Sequence, residues 1–243
     1  MTTSATRALF LFGSLELRAP EGSDTRQILS RPKVIALLAY LAVPSVGRFV
    51  RRDTLVGLLW PVLDQAHARA ALRKALQAVR TALGRDAALA RGDEEVALST
   101  GALWCDAAAF TAAADSGALS RALELYRGEL LPGFHLSGCG DFDQWLEAER
   151  TAAAERASAA AWALAQRQER ESALSDAARS ARRAVRFSWS DERTLRRAVL
   201  MLDRLGDRAG ALRLFDEFAR RLRAEFEVAP SAETIALINS LRE

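Results

Sequence analysis

The sequence predicts a mainly α-helical protein in which a smaller α+β region precedes an all-helical region. Short alternating runs typical of strands fall before residue 104, whereas residues after Asp106 are rich in alanine, arginine and leucine and read as helix. Charge follows the same division: residues 1–104 hold 14 Lys/Arg and 9 Asp/Glu, and the remainder holds 20 and 22. Because 243 residues suffice for two modest domains, we predict one domain over residues 1–103 and another over 104–243.

The first elements are strands followed by a core helix. Residues 8–12 and 15–17 are apolar or alternate around Gly13 and Ser14, a pattern that predicts a hairpin or two short strands. A third short strand is expected near residues 27–29. Pro32 stands where the first turn of a helix tolerates proline, and Pro44 and Gly47 are expected to end that helix. Its apolar residues share one face and predict a core position: Val34, Leu37, Leu38 and Leu41.

A second, short helix is predicted over residues 53–60, with Pro61 ending it, and Asp64 is a suitable N-cap for a long helix over residues 64–84. The apolar residues of this long helix lie three or four positions apart and form one buried stripe: Leu72, Leu76, Val79 and Leu83. Its other face is basic: Arg69, Arg73, Gln77 and Arg80, with Lys74 beside them. Such a face suits a groove lined with phosphates, although a solvated amphipathic helix shows the same pattern.

After Gly84 the period changes to that of a hairpin, with a polar tip over residues 91–94 between two apolar runs. The order strands, helix, short helix, long basic helix and hairpin predicts a winged helix-turn-helix. In that fold the third helix enters the major groove of double-stranded DNA and the hairpin reaches the neighbouring backbone. The alternative is a small α+β domain that carries an arbitrary basic helix.

The C-terminal region shows a repeat of 34 residues. Ala177 and Ala181 are followed at that spacing by Ala211 and Phe215, and residues 171–173 match the tight turn at residues 205–207. A period of 34 with small residues and aromatics in the second helix indicates a tetratricopeptide-like repeat. A more divergent second helix is expected around residues 122–126.

Other large and charged residues of this region have structural interpretations. We expect the tryptophans Trp145, Trp162 and Trp189 to pack between helices rather than to form a ligand cage. A second group of cations is expected to be a solvated face paired with acids, the alternative being contact with DNA or an acidic partner: Arg179, Arg182, Arg183, Arg186, Arg193, Arg196 and Arg197.

The sequence offers no catalytic or cofactor motif, so an enzyme is not expected. His67 and His135 have no nucleophile motif nearby, and no phosphate-binding glycine loop or zinc-binding helix motif occurs. The acids at residues 141–149 favour a helix N-terminus over a metal site. Cys105 and Cys139 are expected to be buried and reduced, and with no apolar run near 20 residues and no secretory signal pattern, we expect a cytoplasmic protein without a membrane span.

Several segments resemble one protein family. PKVIALLAYLAV, RRDTLVGLLWP and ARAALRKALQAVRTALG resemble the OmpR-type winged helix of the SARP-type regulators of bacteria. WCDAAAF, ALELYRGELLPGFHLSG, FDQWLEAER and FEVAPSAETIAL resemble their bacterial transcriptional activation domain. The resemblance covers essentially the whole chain in the family's domain order.

The resemblance implies a DNA-binding transcriptional activator that binds direct repeats and helps RNA polymerase at the promoter. For such a protein we expect association with the nucleoid, and a homodimer on DNA is one possible state. It gives the recognition-helix role to Arg69, Arg73, Lys74, Gln77 and Arg80, the wing-tip role to Arg91, and phosphate contacts to Arg51 and Arg52. It implies no cofactor.

The chain departs from the family pattern in two places. An arginine, Arg51 or Arg52, stands where a Ser or Thr is common before the short helix, and the recognition helix is rich in alanine. The alternative function is a tetratricopeptide-like interaction scaffold, or the N-terminal module of a larger signalling protein, with a degenerate winged helix.

Overall fold

The computed structural model describes residues 7–20, 25–43 and 45–243. The strands are β1 Ala8–Phe10, β2 Glu16–Arg18, β3 Val50–Arg51, β4 Ala88–Arg91, β5 Glu95–Leu98 and β6 Trp104–Cys105. The helices are α1 Arg26–Leu29, α2 Pro32–Ala42, α3 Arg52–Leu59, α4 Gln65–Leu83, α5 Asp106–Asp115, α6 Leu119–Leu125, α7 Gly140–Arg170, α8 Leu174–Phe187, α9 Glu192–Arg204, α10 Arg208–Phe226 and α11 Ala232–Arg242. This order confirms the predicted fold class, a winged helix-turn-helix followed by helical repeats.

Backbone contacts divide the chain into two compact units. The first comprises residues 1–116 and 124–153, and the second comprises residues 117–123 and 154–243. The first unit therefore holds the winged helix together with about 45 residues that follow the predicted boundary at residue 103. That boundary stays a prediction, because compactness alone does not define a domain that folds or evolves independently.

Two small sheets belong to the first unit. β1 pairs antiparallel with β2, Leu9 lying opposite Leu17, which confirms the N-terminal hairpin, and β6 pairs parallel with the other edge of β1. The second sheet has the order β3-β5-β4, in which β4 and β5 form the predicted wing. Val50 pairs with Val96, so the wing is hydrogen-bonded to the segment that leads into α3.

The strand predicted at residues 27–29 is wrong, because these residues form the single-turn helix α1. The amides of Ile28 and Leu29 both donate to the carbonyl of Thr25, at 3.1 Å. A short apolar run does not distinguish strand from helix by its period, and here local hydrogen bonding decides. The next helix, α2, is buried along most of its length and ends at Ala42. Pro44, expected to contribute to its end, lies outside the described residues.

Residues beyond 104 complete the core of the first unit. Phe12 packs against Phe110 and Tyr126, with ring centroids 5.3 and 4.9 Å apart. The buried carboxylate of Asp106, at the start of α5, accepts hydrogen bonds from the amides of Leu11 and Phe12, at 2.8 and 3.2 Å. Buried amides need such partners, so the N-terminal strand region depends on α5 for its hydrogen bonding.

The second unit shows the 34-residue repeat as a repeated turn. Ser172 and Gly206 both adopt left-handed backbone, with φ of 60° and 80°. After each, the next amide donates five residues back: Ala173 to Gln168 at 2.9 Å and Asp207 to Leu202 at 2.8 Å. The α7–α8 and α9–α10 turns thus share one geometry, and α11 packs against the second helix pair with Ile238 and Leu241 buried. The predicted tetratricopeptide-like arrangement is confirmed.

The tryptophans have the packing roles predicted for them. Trp145 of α7 lies 4.7 Å from the Tyr40 ring of α2, between centroids. Trp162 packs against the buried cluster of the second unit under the guanidinium of Arg197, which is 4.2 Å from the ring centre. Trp189, just after α8, stacks on Phe226 at 5.6 Å and 12°.

Candidate nucleic-acid interface

Helix α4 is oriented by its buried stripe and by its N-cap. Asp64 accepts a hydrogen bond from the amide of His67 at 3.1 Å, which confirms the predicted cap. The predicted apolar stripe is buried: Leu72, Leu76, Val79 and Leu83. Because this stripe faces the core, the rest of the helix surface is turned outward. Arg69, Arg73 and Gln77 are exposed on this outward surface.

The outward face of α4 forms one side of an open concavity of about 730 Å³. The N-terminal turn of α3 and the tip of the wing contribute the remaining residues that line it. Six of the eight predicted DNA-binding residues meet here: Arg51, Arg52, Arg69, Arg73, Gln77 and Arg80. Lys74 and Arg91 are not part of its lining. Residues separated by up to 29 positions thus form one cationic surface.

Arg52 is subject to the charges of several other residues of this surface. Burial lowers the pKa of its guanidinium, the positive charges of Arg80 and Arg73 lower it further, and the carboxylate of Asp93 acts in the opposite direction. Its buried Nε finds no hydrogen-bond partner in the part of the chain that the structure describes. A partly buried cation beside other cations favours an anion, because an anion relieves both the repulsion and the unmade hydrogen bond.

Three of the predicted DNA-binding arginines already contact protein groups. Arg69 Nη2 lies 2.9 Å from Asp53 Oδ1. Arg80 donates from Nε and Nη2 to the carbonyl of Ala88, at 3.2 and 3.0 Å, which ties α4 to the first strand of the wing. Arg91 Nη1 lies 3.2 Å from Glu95 Oε2, and its guanidinium covers the Phe49 ring at 3.9 Å.

The remaining polar side chains of the α4 face are unengaged. Among the described residues, Arg73, Lys74 and Gln77 make no side-chain hydrogen bond or ion pair. Arg73 and Gln77 are one turn apart and both line the concavity, so they are the side chains of this face best placed to contact a ligand.

The start of α3 has the weakness predicted from its sequence. Arg51 is the N-cap and makes no side-chain capping bond, so the first amides of the helix have no side-chain acceptor there. Asp53 in the first turn provides a favourable charge for the helix dipole.

Carboxylates also line the concavity, and sequence reasoning missed them. Asp53, Asp93 and Glu94 all contribute to its lining. From the sequence, residues 93 and 94 were assigned only to the polar tip of the hairpin. Their placement follows from the antiparallel pairing of β3 with β5, which brings the amide of Arg52 to 2.7 Å from the carbonyl of Glu94. A run of Arg, Gly, Asp and Glu at a wing tip is the only sequence signal available.

Among the described residues, three of the seven arginines that the sequence singled out in the second unit pair with acids, as predicted. Arg179 and Arg182 pair with Asp176 and Asp207. Arg196 Nη2 lies 3.0 Å from Glu233 Oε2. Arg183 donates to the carbonyl of Leu123 at 3.0 Å, and these contacts account for four of the seven cations that the sequence singled out.

The described residues hold no cluster of three or more His, Cys, Asp or Glu suited to a metal ion. Cys105 and Cys139 are free and buried, as predicted, and burial raises the pKa of the Cys105 thiol to about 12. No described helix combines the length and the apolar character needed to cross a bilayer.

The fold and this surface define a class of protein, a winged helix-turn-helix followed by tetratricopeptide-like helices, with a cationic concavity on the winged helix. The family model described as "Bacterial transcriptional activator domain" matches residues 97–242, and the chain belongs to that family. The resemblance to SARP-type transcriptional activators, which carry this domain after a winged helix, is confirmed. The match begins within β5, close to the predicted boundary at residue 103.

The fold is similar to that of a solved structure. Mycobacterium tuberculosis EmbR, in complex with a low affinity phosphopeptide, matches with a TM-score of 0.63 and 22% sequence identity. The match covers 97% of this chain and 65% of the EmbR chain, so this chain spans less than two thirds of that protein's length. No curated protein sequence matches the chain.

Proposed function

We propose that the chain binds direct-repeat promoter sites through α4 and activates transcription by recruiting RNA polymerase through its helical domain. The observation that carries this proposal is the cationic concavity, which is lined by five arginines from β3, α3 and α4. One of them, Arg52, is partly buried, and its Nε has no partner among the described residues. Membership of the activator-domain family supports the role of residues 97–242.

The proposed recognition step follows from the geometry of α4. Its 19 residues span about 28 Å, and the exposed side chains of Arg73 and Gln77 lie one turn apart on its outward surface. Arginine and glutamine are side chains that make paired hydrogen bonds to guanine and adenine edges in the major groove. Arg51 and Arg52 at the start of α3 hold backbone phosphates, which fix the register of the helix without reading sequence.

Few side chains of α4 are long enough to read bases. Ala70, Ala71, Ala75 and Ala78 occupy much of its length, so direct contacts are limited to two or three residues. Sequence-dependent DNA shape supplies the remaining selectivity. Two chains on adjacent repeats gain affinity through effective concentration, which favours a homodimer on DNA and places the protein on the nucleoid.

Selection of bound duplexes from a random pool tests this proposal. Purified full chain is expected to enrich duplexes that share a repeated half-site in the same orientation. A promoter carrying the enriched site, fused to a reporter, should be activated by the chain. Enrichment of no shared sequence after several rounds would contradict sequence-specific binding, and enrichment without reporter activation would contradict only the activator role.

A second candidate function is an interaction scaffold, and a groove in the second unit favours it. The groove between α8 and α10 has a volume of about 100 Å³, which fits one aliphatic side chain. Val185, Leu214 and Phe218 line it together with Trp189, and charged residues surround them: Arg182, Arg186, Glu217 and Arg221. The occupant that fits is an acidic peptide with one aliphatic side chain. A scaffold of this kind would bind such a peptide and would not bind duplex DNA.

A further inference from the structure

The cationic concavity contains carboxylates at two of its three sides. Asp53 lies in the first turn of α3, and Asp93 lies at the tip of the wing, where Glu94 follows it. A surface built only to hold phosphates gains nothing from negative charge, since like charges brought together cost free energy. These two acids therefore need a reason for their position.

Each of the two acids acts on one cation of the proposed DNA-binding surface. Asp53 Oδ1 lies 2.9 Å from Arg69 Nη2, in an ion pair whose side chains are 69% and 49% exposed. Asp93 lines the same concavity as Arg52, and its negative charge raises the pKa of the Arg52 guanidinium, which burial and two neighbouring arginines lower. Arg69 belongs to the helix proposed to read bases, and Arg52 to the pair proposed to hold phosphates.

A cation whose charge is offset by a nearby carboxylate contributes less to binding that depends on charge alone. Affinity for an arbitrary duplex comes almost entirely from Lys and Arg contacts to phosphates. The ion pair of Arg69 with Asp53, and the negative charge of Asp93 in the same concavity as Arg52, therefore weaken this nonspecific affinity. On a matching site, docking of α4 offers Arg69 a fixed acceptor that replaces the carboxylate of Asp53, and it offers an anion to Arg52, whose Nε has no partner among the described residues. An exposed ion pair is weak enough for such an exchange of partners.

We propose that Asp53 and Asp93 raise the sequence selectivity of the chain by weakening its binding to non-matching duplex more than its binding to the matching site. This inference rests on the proposed function, since it assigns selectivity within the same surface. Selectivity is a difference between two affinities, and a repulsive group that acts mainly on the wrong partner increases it.

The test compares two duplexes and three variants of the full chain. The duplexes are a labelled random-sequence pool and the sequence that the wild-type chain enriches from that pool. The variants are Asp93→Asn, Asp53→Asn and the control Asp86→Asn, which removes the same charge from an exposed residue of the same unit that does not line the concavity. Asparagine suits the turn that Asp93 occupies, and melting curves verify that each variant is folded.

Asp93→Asn is expected to tighten binding to the random pool by about threefold or more and to tighten binding to the enriched site less, so that the ratio of the two affinities falls. Asp53→Asn should act in the same direction, because it releases Arg69. Asp86→Asn should change both affinities equally, and by less.

An unchanged affinity ratio in both concavity variants, in a chain that does bind duplex, overturns this inference and leaves the proposed function standing. Weaker binding of folded Asp93→Asn or Asp53→Asn to the random pool also overturns it. Failure of the wild-type chain to bind any duplex overturns the proposed function together with this inference.

Discussion

At the scale of single residues, the cations of α4 divide into those that organise the protein and those that are available to a ligand. Arg80 is half-buried and donates twice to the carbonyl of Ala88, so it positions the wing. Arg73 is exposed, lies on the same face and has no partner among the described residues. Of the predicted site residues, Arg73 is therefore the one whose removal should affect binding with least effect on folding.

Arg73→Ala should weaken binding by about 1–3 kcal/mol, with the loss concentrated at one base position of the site. The buried stripe through Leu72 and Leu76 is untouched, and alanine suits a helix interior. Fluorescence anisotropy on the enriched duplex and on single-base variants measures the effect.

Arg220→Ala, which removes a cation from the exposed surface of α10, is the matched control and should leave affinity nearly unchanged. An even loss on all duplexes would give Arg73 a phosphate contact in place of a base contact. No loss in a folded variant would exclude it from the interface.

The position of the cations was predictable from the sequence, and the position of the acids was not. Helical periodicity alone puts Arg69, Arg73 and Gln77 on one stripe beside the buried stripe of Leu72 and Leu76. The approach of Asp93 to Arg52 depends on the pairing of β3 with β5, which brings together residues 41 positions apart. The hydrogen bonds from Arg80 to the carbonyl of Ala88 in the wing depend on tertiary packing in the same way.

At the scale of elements, the repeat turns of the second unit are the clearest link between sequence and structure. Residues 172 and 206 lie 34 positions apart and share a left-handed conformation, but one is serine and the other glycine. A side chain in this conformation is strained, whereas glycine adopts it freely at a cost in the flexibility of the unfolded chain. Apart from its chain neighbours, no described atom lies within 4 Å of a β-carbon added at Gly206. A substitution at Gly206 therefore tests backbone strain without a steric clash of the β-carbon.

Gly206→Ser should lower the free energy of unfolding by about 0.5–1 kcal/mol. This is the cost of backbone strain in the folded state minus the stabilisation that results from the lower conformational entropy of the unfolded chain. Ser172→Gly should change it by a similar amount in the opposite direction. Urea unfolding followed by circular dichroism measures both. Changes of the same sign in the two variants would contradict equivalent turns.

Helix α11 is held to α9 by Glu192, and this attachment should depend on pH. Glu192 accepts hydrogen bonds from the amide of Ser231, at 3.0 and 3.1 Å, and from the hydroxyl of Thr234. Burial favours a higher pKa for this carboxyl, but the hydrogen bonds and the charge of Arg196 outweigh it and hold the pKa below its ordinary value. The ionised form is therefore stabilised in the folded state.

Glu192→Gln should lower the free energy of unfolding by about 1–3 kcal/mol at neutral pH. Because the folded pKa is depressed, the wild-type advantage is present above the unfolded pKa of about 4.3 and is lost as pH falls through the lower folded pKa. Urea unfolding of both proteins at a series of pH values checks this. A difference that grows as pH falls through this range would contradict the role given to Glu192.

At the scale of the whole molecule, the two halves were predictable but the extent of the first compact unit was not. Composition and periodicity separate a strand-containing region from an all-helical one. The dependence of Leu11 and Phe12 on Asp106, and of Phe12 on Phe110 and Tyr126, follows from contacts over about 95 residues or more, which no local pattern encodes.

Truncated chains distinguish the boundary predicted at residue 103 from the end of the first compact unit at residue 153. Residues 1–153 should fold and keep salt-sensitive DNA binding, whereas residues 1–104 lose the Asp106 acceptor and two aromatic neighbours of Phe12 and should be largely unfolded. Neither piece should activate a reporter at an abundance equal to that of the full chain. Melting curves and reporter output measure these outcomes. A fragment 1–104 as stable as 1–153 would contradict the structural boundary, and full activation by either fragment would contradict the activator role of the helical domain.

We propose that the concavity on α4 binds the phosphates and bases of duplex DNA. Titration of labelled duplex with the full chain at several salt concentrations is the most direct test of this binding. A surface that neutralises about four phosphates predicts a slope near −3.6 in a plot of log affinity against log salt, which is roughly a hundredfold loss of affinity between 50 and 200 mM. Arg52→Ala, which removes a proposed phosphate contact, should make that slope shallower by about 0.9. Absence of duplex binding at low salt, or an affinity that does not change with salt, would contradict the claim.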